Sequence, residues 1–146
     1  MTKYGLEEFT IRPVTRDDVD ALLPLVRTFV TSFPLDEAAF VSSFARLLND
    51  EQACLLVADA GLVVGYLLGF THDTFFANGP AGWVEELMVE EAWRRRRVGE
   101  RLMRAFERWA AERGCRLVAL ATRRAAPFYR ALGYDESATY FRRLLP

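Results

Sequence analysis

The chain has 146 residues, of which 51% are hydrophobic, 13% aromatic and 27% charged, the profile of one globular domain and not of a disordered chain. A domain of this length buries roughly 70% of its unfolded surface, so it needs no disulfide or metal to fold, and no apolar run approaches the roughly 18–20 residues of a membrane span. The net charge of −1 conceals a division: residues 1–93 carry 5 basic and 15 acidic side chains, and residues 94–146 carry 14 basic and 5 acidic, so the second part is suited to meeting an anion.

In chain order, residues 9–14 (FTIRPV) read as a short strand. Thr15 caps a helix whose first turn is rich in acid, at Asp17, Asp18 and Asp20. Val19, Leu22, Leu23, Val26 and Val30 give it an apolar face, and Pro24 inside it predicts a bend or an early end. A second helix is predicted over residues 36–48, with Phe40, Phe44 and Leu47 on one face. Strands over 53–58 and 62–70 flank the turn Asp59-Ala60-Gly61 and predict a hairpin. Residues 72–82 read as a loop, with a turn at Asn78-Gly79-Pro80. A strand follows over 83–89 (WVEELMV). A strongly amphipathic helix starts near Val98, presents Val98, Leu102, Phe106, Trp109 and Ala110, and stops at Gly114. Residues 117–121 form an apolar run expected of a buried strand. A short helix over 125–132 ends at Gly133, and a last strand is expected over 138–144. This order predicts an α/β (α+β) sandwich with a mixed sheet, antiparallel at its start and closed by a parallel crossover.

Met1 to Gly5 lack the basic-then-apolar layout of a signal peptide. Cys54 and Cys115 lie in apolar stretches without metal-ligand spacing, and read as reduced core residues of a cytoplasmic protein. No metal site is expected.

The chemistry concentrates in WVEELMVEEAWRRRRVGERLM, residues 83–103. A strand runs into an arginine-rich turn and then directly into a helix. Such a unit aims unpaired backbone N–H groups and the positive helix end at one spot, which suits a phosphate or diphosphate. It is neither a Walker loop nor a G-x-G-x-x-G loop.

This stretch resembles the GNAT superfamily of N-acetyltransferases, whose loop after the fourth strand reads R/Q-x-x-G-x-G/A. Arg94 and Gly99 match that pattern, and Arg97 stands where the family has its first glycine. A second stretch, Ala125-Ala126-Pro127-Phe128-Tyr129-Arg130-Ala131-Leu132-Gly133-Tyr134, resembles the family's A-x-x-F-Y-x-x-x-G-F/Y. The resemblance extends over the whole chain, taken as a single domain over residues 1–146. It implies a GNAT-like, mostly antiparallel sheet of six or seven strands flanked by four helices, and acetyl-CoA as co-substrate. The diphosphate would lie on the loop Arg94, Arg95, Arg96, Arg97, Val98, Gly99, Glu100 and Arg101. The pantetheine arm would pair with the strand edge at Met88 and Val89, where the fourth strand splays from the fifth. Thr122 takes the place of an asparagine that contacts the arm. A homodimer is the family's implication for assembly.

Acetyl transfer from a thioester to an amine poses two proton problems. The amine must lose a proton to attack, and the leaving thiolate must gain one. A tyrosine hydroxyl, with a pKa of about 10, is protonated at neutral pH and can donate. The resemblance gives that role to Tyr129. For the base, Glu85 and Glu86 are two acids in an otherwise apolar strand. Strand alternation sends them to opposite faces, Glu85 with Leu87 and Glu86 with Met88. Glu85 is the first candidate and Glu86 the second, since a bulge would reverse the parity. His72, the only histidine, is a further candidate for a base or a loop residue. Phe70, Phe75, Phe76 and Trp83 are candidates for acceptor lining or for core. No cysteine or serine sits in a nucleophile setting, which favours direct transfer in a ternary complex. The expected acceptor is a primary amine of a small molecule. The alternatives are a protein N-terminus or lysine, and a non-catalytic module binding an anion or nucleic acid through Arg101, Arg104 and Arg108. Interleaved Glu100, Glu107 and Glu112 argue against nucleic acid as a partner, and no membrane partner is expected.

Overall fold

The structure is a computed structural model, and it describes residues 8–30 and 32–146. Met1 to Gly5, with their missing signal layout, lie outside the described residues. The strands are β1 (Thr10–Pro13), β2 (Ala53–Asp59), β3 (Val63–Thr74), β4 (Gly79–Val89) and β5 (Val118–Leu120). The helices are α1 (Val19–Phe29), α2 (Glu37–Leu48), α3 (Val98–Glu112) and α4 (Ala126–Ala131). The strands form one sheet in sequence order. Its first four members are antiparallel, and β5 joins β4 in parallel after the α3 crossover.

Helices cover both faces of the sheet. Leu22, Leu25 and Phe44 of α1 and α2 pack with Val57 and Tyr66 on one face. Val98, Leu102, Met103 and Phe106 of α3 pack with Val64, Leu67 and Val84 on the other. Phe106 approaches β3 so closely that a Cβ on Gly69 would stand 2.3 Å from its Cε1. Glycine at that point is therefore a packing requirement of the α3 layer. The helix α1 passes through Pro24 and ends at Phe29. Asp36 caps α2, its carboxylate accepting from the Ala39 N–H at 3.0 Å. Thr15 and Asp18 form the capping box before α1. Asp18 is also gripped by both terminal nitrogens of Arg12, whose Nε bonds Asp59, which ties β1, β2 and the entry to α1 together.

Three sequence expectations are corrected. The sheet has five strands among the described residues, not six or seven. Residues 138–144 form no strand, and Tyr140, Phe141, Leu144 and Leu145 are largely exposed. Alternation makes a strand only where a neighbour offers a ladder, and β5, three residues long, offers little. Residues 72–82 are not a loop. His72 pairs with Ala81 and Thr74 with Gly79, so the β3–β4 hairpin continues to a tip at 75–78. This extension runs beyond the last β2 pair, Ala53 with Phe70. Before Gly82, where β5 joins, it is a two-stranded ribbon with His72, Asp73 and Asn78 exposed, which is why its polar residues looked like loop. Phe75 and Phe76 stand exposed at its tip and line nothing.

Candidate active site

The ladder between β4 and β5 holds only over Gly82, Trp83 and Val84. Beyond Val84 the two strands part, and the β4 edge over residues 85–89 has no β5 partner. The ladder with β3 is interrupted at the same place. Leu68 pairs with Glu86 and Gly69 with Val84, so Glu85 is an extra residue, a bulge. Val84 packs into the α3 layer, whereas Glu86, two residues on, faces the opposite layer with Tyr66. Without the bulge these two would share a face. Glu86 shares its face with Met88, as alternation predicts, whereas the expected placing of Glu85 with Leu87 is overturned. Leu87 packs in the α3 layer, and Glu85 is exposed with its Oε2 accepting from Trp83 Nε1 at 2.8 Å.

Glu86 enters a cavity of about 90 Å³ between α1, α2 and the sheet. Its walls are mostly hydrocarbon, and the Tyr66 hydroxyl donates to Glu86 Oε1 at 2.7 Å. Burial lifts the carboxyl of Glu86 above its ordinary value. The Tyr66 bond opposes that shift, and the charge of Glu85 adds to it. Such a group holds its proton more readily than a surface carboxylate and is the better base near neutrality.

On the other side of the split lies the arginine turn. A short 3₁₀ turn (Glu91–Trp93), capped by the Glu90 carboxylate, leads into it. Arg94 Nε donates to the carbonyl of Val89 at 3.2 Å. Arg95 and Arg97 both adopt left-handed backbone, with φ of 63° and 66°, a conformation that is uncommon for residues with a Cβ. This is the physical reason a glycine suits position 97. Arg97 is the N-cap of α3 and no side chain caps the helix, so the first-turn N–H groups at Val98, Gly99 and Glu100 stay open to a ligand. Gly99 lies under Phe128, whose Cζ would be 3.1 Å from an added Cβ. Arg96 stacks over Trp93 and Arg97 pairs with Glu100. Arg101 points away from the turn, over the ring of Phe9 and onto its carbonyl. Thr122 is exposed and its hydroxyl accepts from the Ala125 N–H at the start of α4.

Tyr129 is half-buried, with its ring edge-on to Phe128 and Tyr134. Burial raises its pKa, which keeps the hydroxyl protonated. Tyr134 donates its proton to Glu107 at 2.6 Å; among the described residues no side chain holds the Tyr129 hydroxyl. His72 is exposed on the hairpin ribbon. Both cysteines are free; Cys54 is buried, with its thiol pushed up to about 12, and Cys115 is half-buried. Tyr66 is the member of the site that sequence reasoning missed. Its only sequence signal was a polar tip within an apolar strand, opposite the strand holding the two glutamates.

The profile of the Acetyltransferase (GNAT) family matches residues 20–134. The chain is 31% identical to glucosamine 6-phosphate N-acetyltransferase 1 of rice, Oryza sativa, over 89% of this chain and 83% of that protein. Its fold is similar to a solved structure described as a transcriptional regulator from Bacillus halodurans, with a TM-score of 0.85, 23% identity and coverage of 94% of this chain and 100% of the other. It is similar too to the aminoglycoside N-acetyltransferase AAC(6')-Iy in complex with CoA, with a TM-score of 0.81, 22% identity and coverage of 93% and 95%.

Proposed function

The chain belongs to the acetyltransferase (GNAT) family and is an acyltransferase, and on that premise we propose that it moves the acetyl group of acetyl-CoA directly onto the primary amine of a small molecule. The observation that carries this is the split of β4 from β5 at the bulge. It sets a buried carboxylate on one side of β4, and an unpaired strand edge with an uncapped helix end on the other.

The diphosphate of the donor lies on the N–H groups of Val98, Gly99 and Glu100, within the field of Arg94, Arg95, Arg96 and Arg97. The pantetheine arm pairs with the main chain at Met88 and Val89, on the edge of β4 that has no β5 partner, and Arg94 releases the Val89 carbonyl to it. Arg101 and Thr122 serve less directly, since each is committed elsewhere. The acceptor enters from the α1–α2 side as an ammonium ion. Glu86 takes one proton, the nitrogen attacks the thioester carbon, the C–N bond forms, and the C–S bond breaks as the nitrogen sheds its second proton to solvent. Tyr129 passes its proton to the departing thiolate and is afterwards reprotonated from solvent. Both relatives named above as acetyltransferases act, by their names, on amines of small molecules, which supports the choice of acceptor class.

The test is a panel of small primary amines, amino sugars and lysine peptides with acetyl-CoA, scored by release of the CoA thiol. Turnover of at least one small amine is expected. Absence of calorimetric binding of acetyl-CoA at millimolar concentration, or turnover of lysine peptides alone, overturns the proposal.

A further inference from the structure

The cavity at Glu86 has a definite size and chemistry. Its volume is about 90 Å³. A cavity of about 150 Å³ accepts benzene, and one water takes about 30 Å³ of liquid. The space therefore holds a chain of about three heavy atoms and no ring. Leu22, Val26 and Phe40 contribute to its hydrocarbon wall. Its polar groups are the Glu86 carboxyl, the Tyr66 hydroxyl bonded to it, and Ser43 of α2. Among the described residues, no lysine or arginine lines it. The nearest guanidinium on α2, that of Arg46, is exposed and bonds the hydroxyls of Ser42 and Ser43. The carboxylate of Glu85 acts on Glu86 from beside it. The field therefore favours a cation and opposes an anion.

We propose that the acceptor amine is carried on a flexible, unbranched hydrocarbon arm of about three carbons, resting on the role of Glu86 proposed above. The arm fills the cavity and delivers its ammonium to the Glu86 carboxylate, while the rest of the molecule stays outside. An amine bonded directly to a ring cannot bring its nitrogen to Glu86. An arm bearing phosphate or carboxylate would bury a second anion beside Glu86 without a cation to meet it.

The test is a series from methylamine to hexylamine, with cyclohexylamine, glucosamine and 3-aminopropyl phosphate, assayed by CoA-thiol release alongside acetyl-CoA calorimetry. The expected kcat/KM rises about fourfold per methylene, the worth of one buried CH₂, and levels off at three or four carbons. The ring-bound and phosphorylated amines should fall at least about tenfold below propylamine. Leu47→Ala, which widens the half-buried side of the cavity, should move the optimum to a longer chain. A flat series, a preference for glucosamine or the phosphate, or no turnover of any alkylamine overturns the proposal. If acetyl-CoA binds in those cases, the acetyltransferase site stands and only the arm is wrong. If acetyl-CoA does not bind, the site assignment itself fails.

Discussion

The Tyr66 hydroxyl reaches diagonally across β3 and β4 to Glu86, although the ladder pairs Tyr66 with Met88 and Glu86 with Leu68. Long side chains on one face can bridge such diagonal neighbours. Glu86 alternates with Met88, the ladder partner of Tyr66, and so lies on the face that Tyr66 occupies, while the bulge at Glu85 parts it from Val84, which packs in the α3 layer. Tyr66 is 2% exposed, so the carboxyl is held by a donor that cannot swing away.

Glu86 should control the acidic limb of the rate profile. Burial raises its pKa, so activity is lost as pH falls through a value above the ordinary 4.5. Glu86→Gln should lower kcat/KM by about 10²-fold or more and leave a profile that follows the amine's own ionisation. Tyr66→Phe removes a bond that favours the charged carboxylate, so it should shift the limb to higher pH. Glu85→Gln should change little. A greater loss in Glu85→Gln than in Glu86→Gln, measured with the same amine, would show that the exposed acid is the base.

Tyr129→Phe keeps the ring contacts with Phe128 and Tyr134 and removes only the hydroxyl. General acid catalysis is typically worth about 10²–10⁴-fold, and kcat should fall within that range while acetyl-CoA affinity holds. Unchanged kcat under conditions where chemistry limits the rate would make Tyr129 a packing residue.

Arg97 is strained, and its pairing with Glu100 is exposed. Arg97→Gly should relieve about 1 kcal/mol of left-handed strain and raise the melting temperature by about 2–4 °C. Acetyl-CoA at about 100-fold excess over Kd should add roughly 2.7 kcal/mol to either protein, because the diphosphate is held by main-chain N–H groups. Thermal scans with and without acetyl-CoA test both statements; loss of the ligand increment in the variant would mean that the Arg97 side chain makes the contact.

Acid should loosen the β1–α1 corner. The Arg12 hydrogen bonds hold the Asp18 carboxyl down at about 2, against an ordinary value of 3.8. A folded value below the unfolded one gives stability that is complete above about pH 4 and is lost as pH falls toward 2. At about 1.4 kcal/mol per unit this amounts to at most about 2 kcal/mol. Asp18→Asn should lower stability at pH 7 by up to that amount and flatten the acid dependence between pH 4 and 2. Denaturant melts at pH 7, 4 and 2.5 measure it; an unchanged dependence would assign the acid sensitivity to another carboxylate.

The elements that sequence determined are those in which local patterning and capping agree. The amphipathic α3 from Val98, the helix over 36–48, the hairpin turn at 59–61 and the arginine turn before a helix all rest on interactions within a few residues, and each appears where its pattern predicts. Tertiary structure alone decided the facing of Glu85 and Glu86, because a bulge is set by the partner strand and by the packing of Phe106 over Gly69. It alone extended the 72–82 segment into a ribbon and left 138–144 without a ladder, because pairing requires a neighbour that one strand's sequence does not contain. The acceptor cavity belongs to the same class. Leu22, Phe40, Tyr66 and Glu86 come from four elements, and only their convergence turns apolar stripes and one carboxylate into the cavity proposed for the acceptor amine.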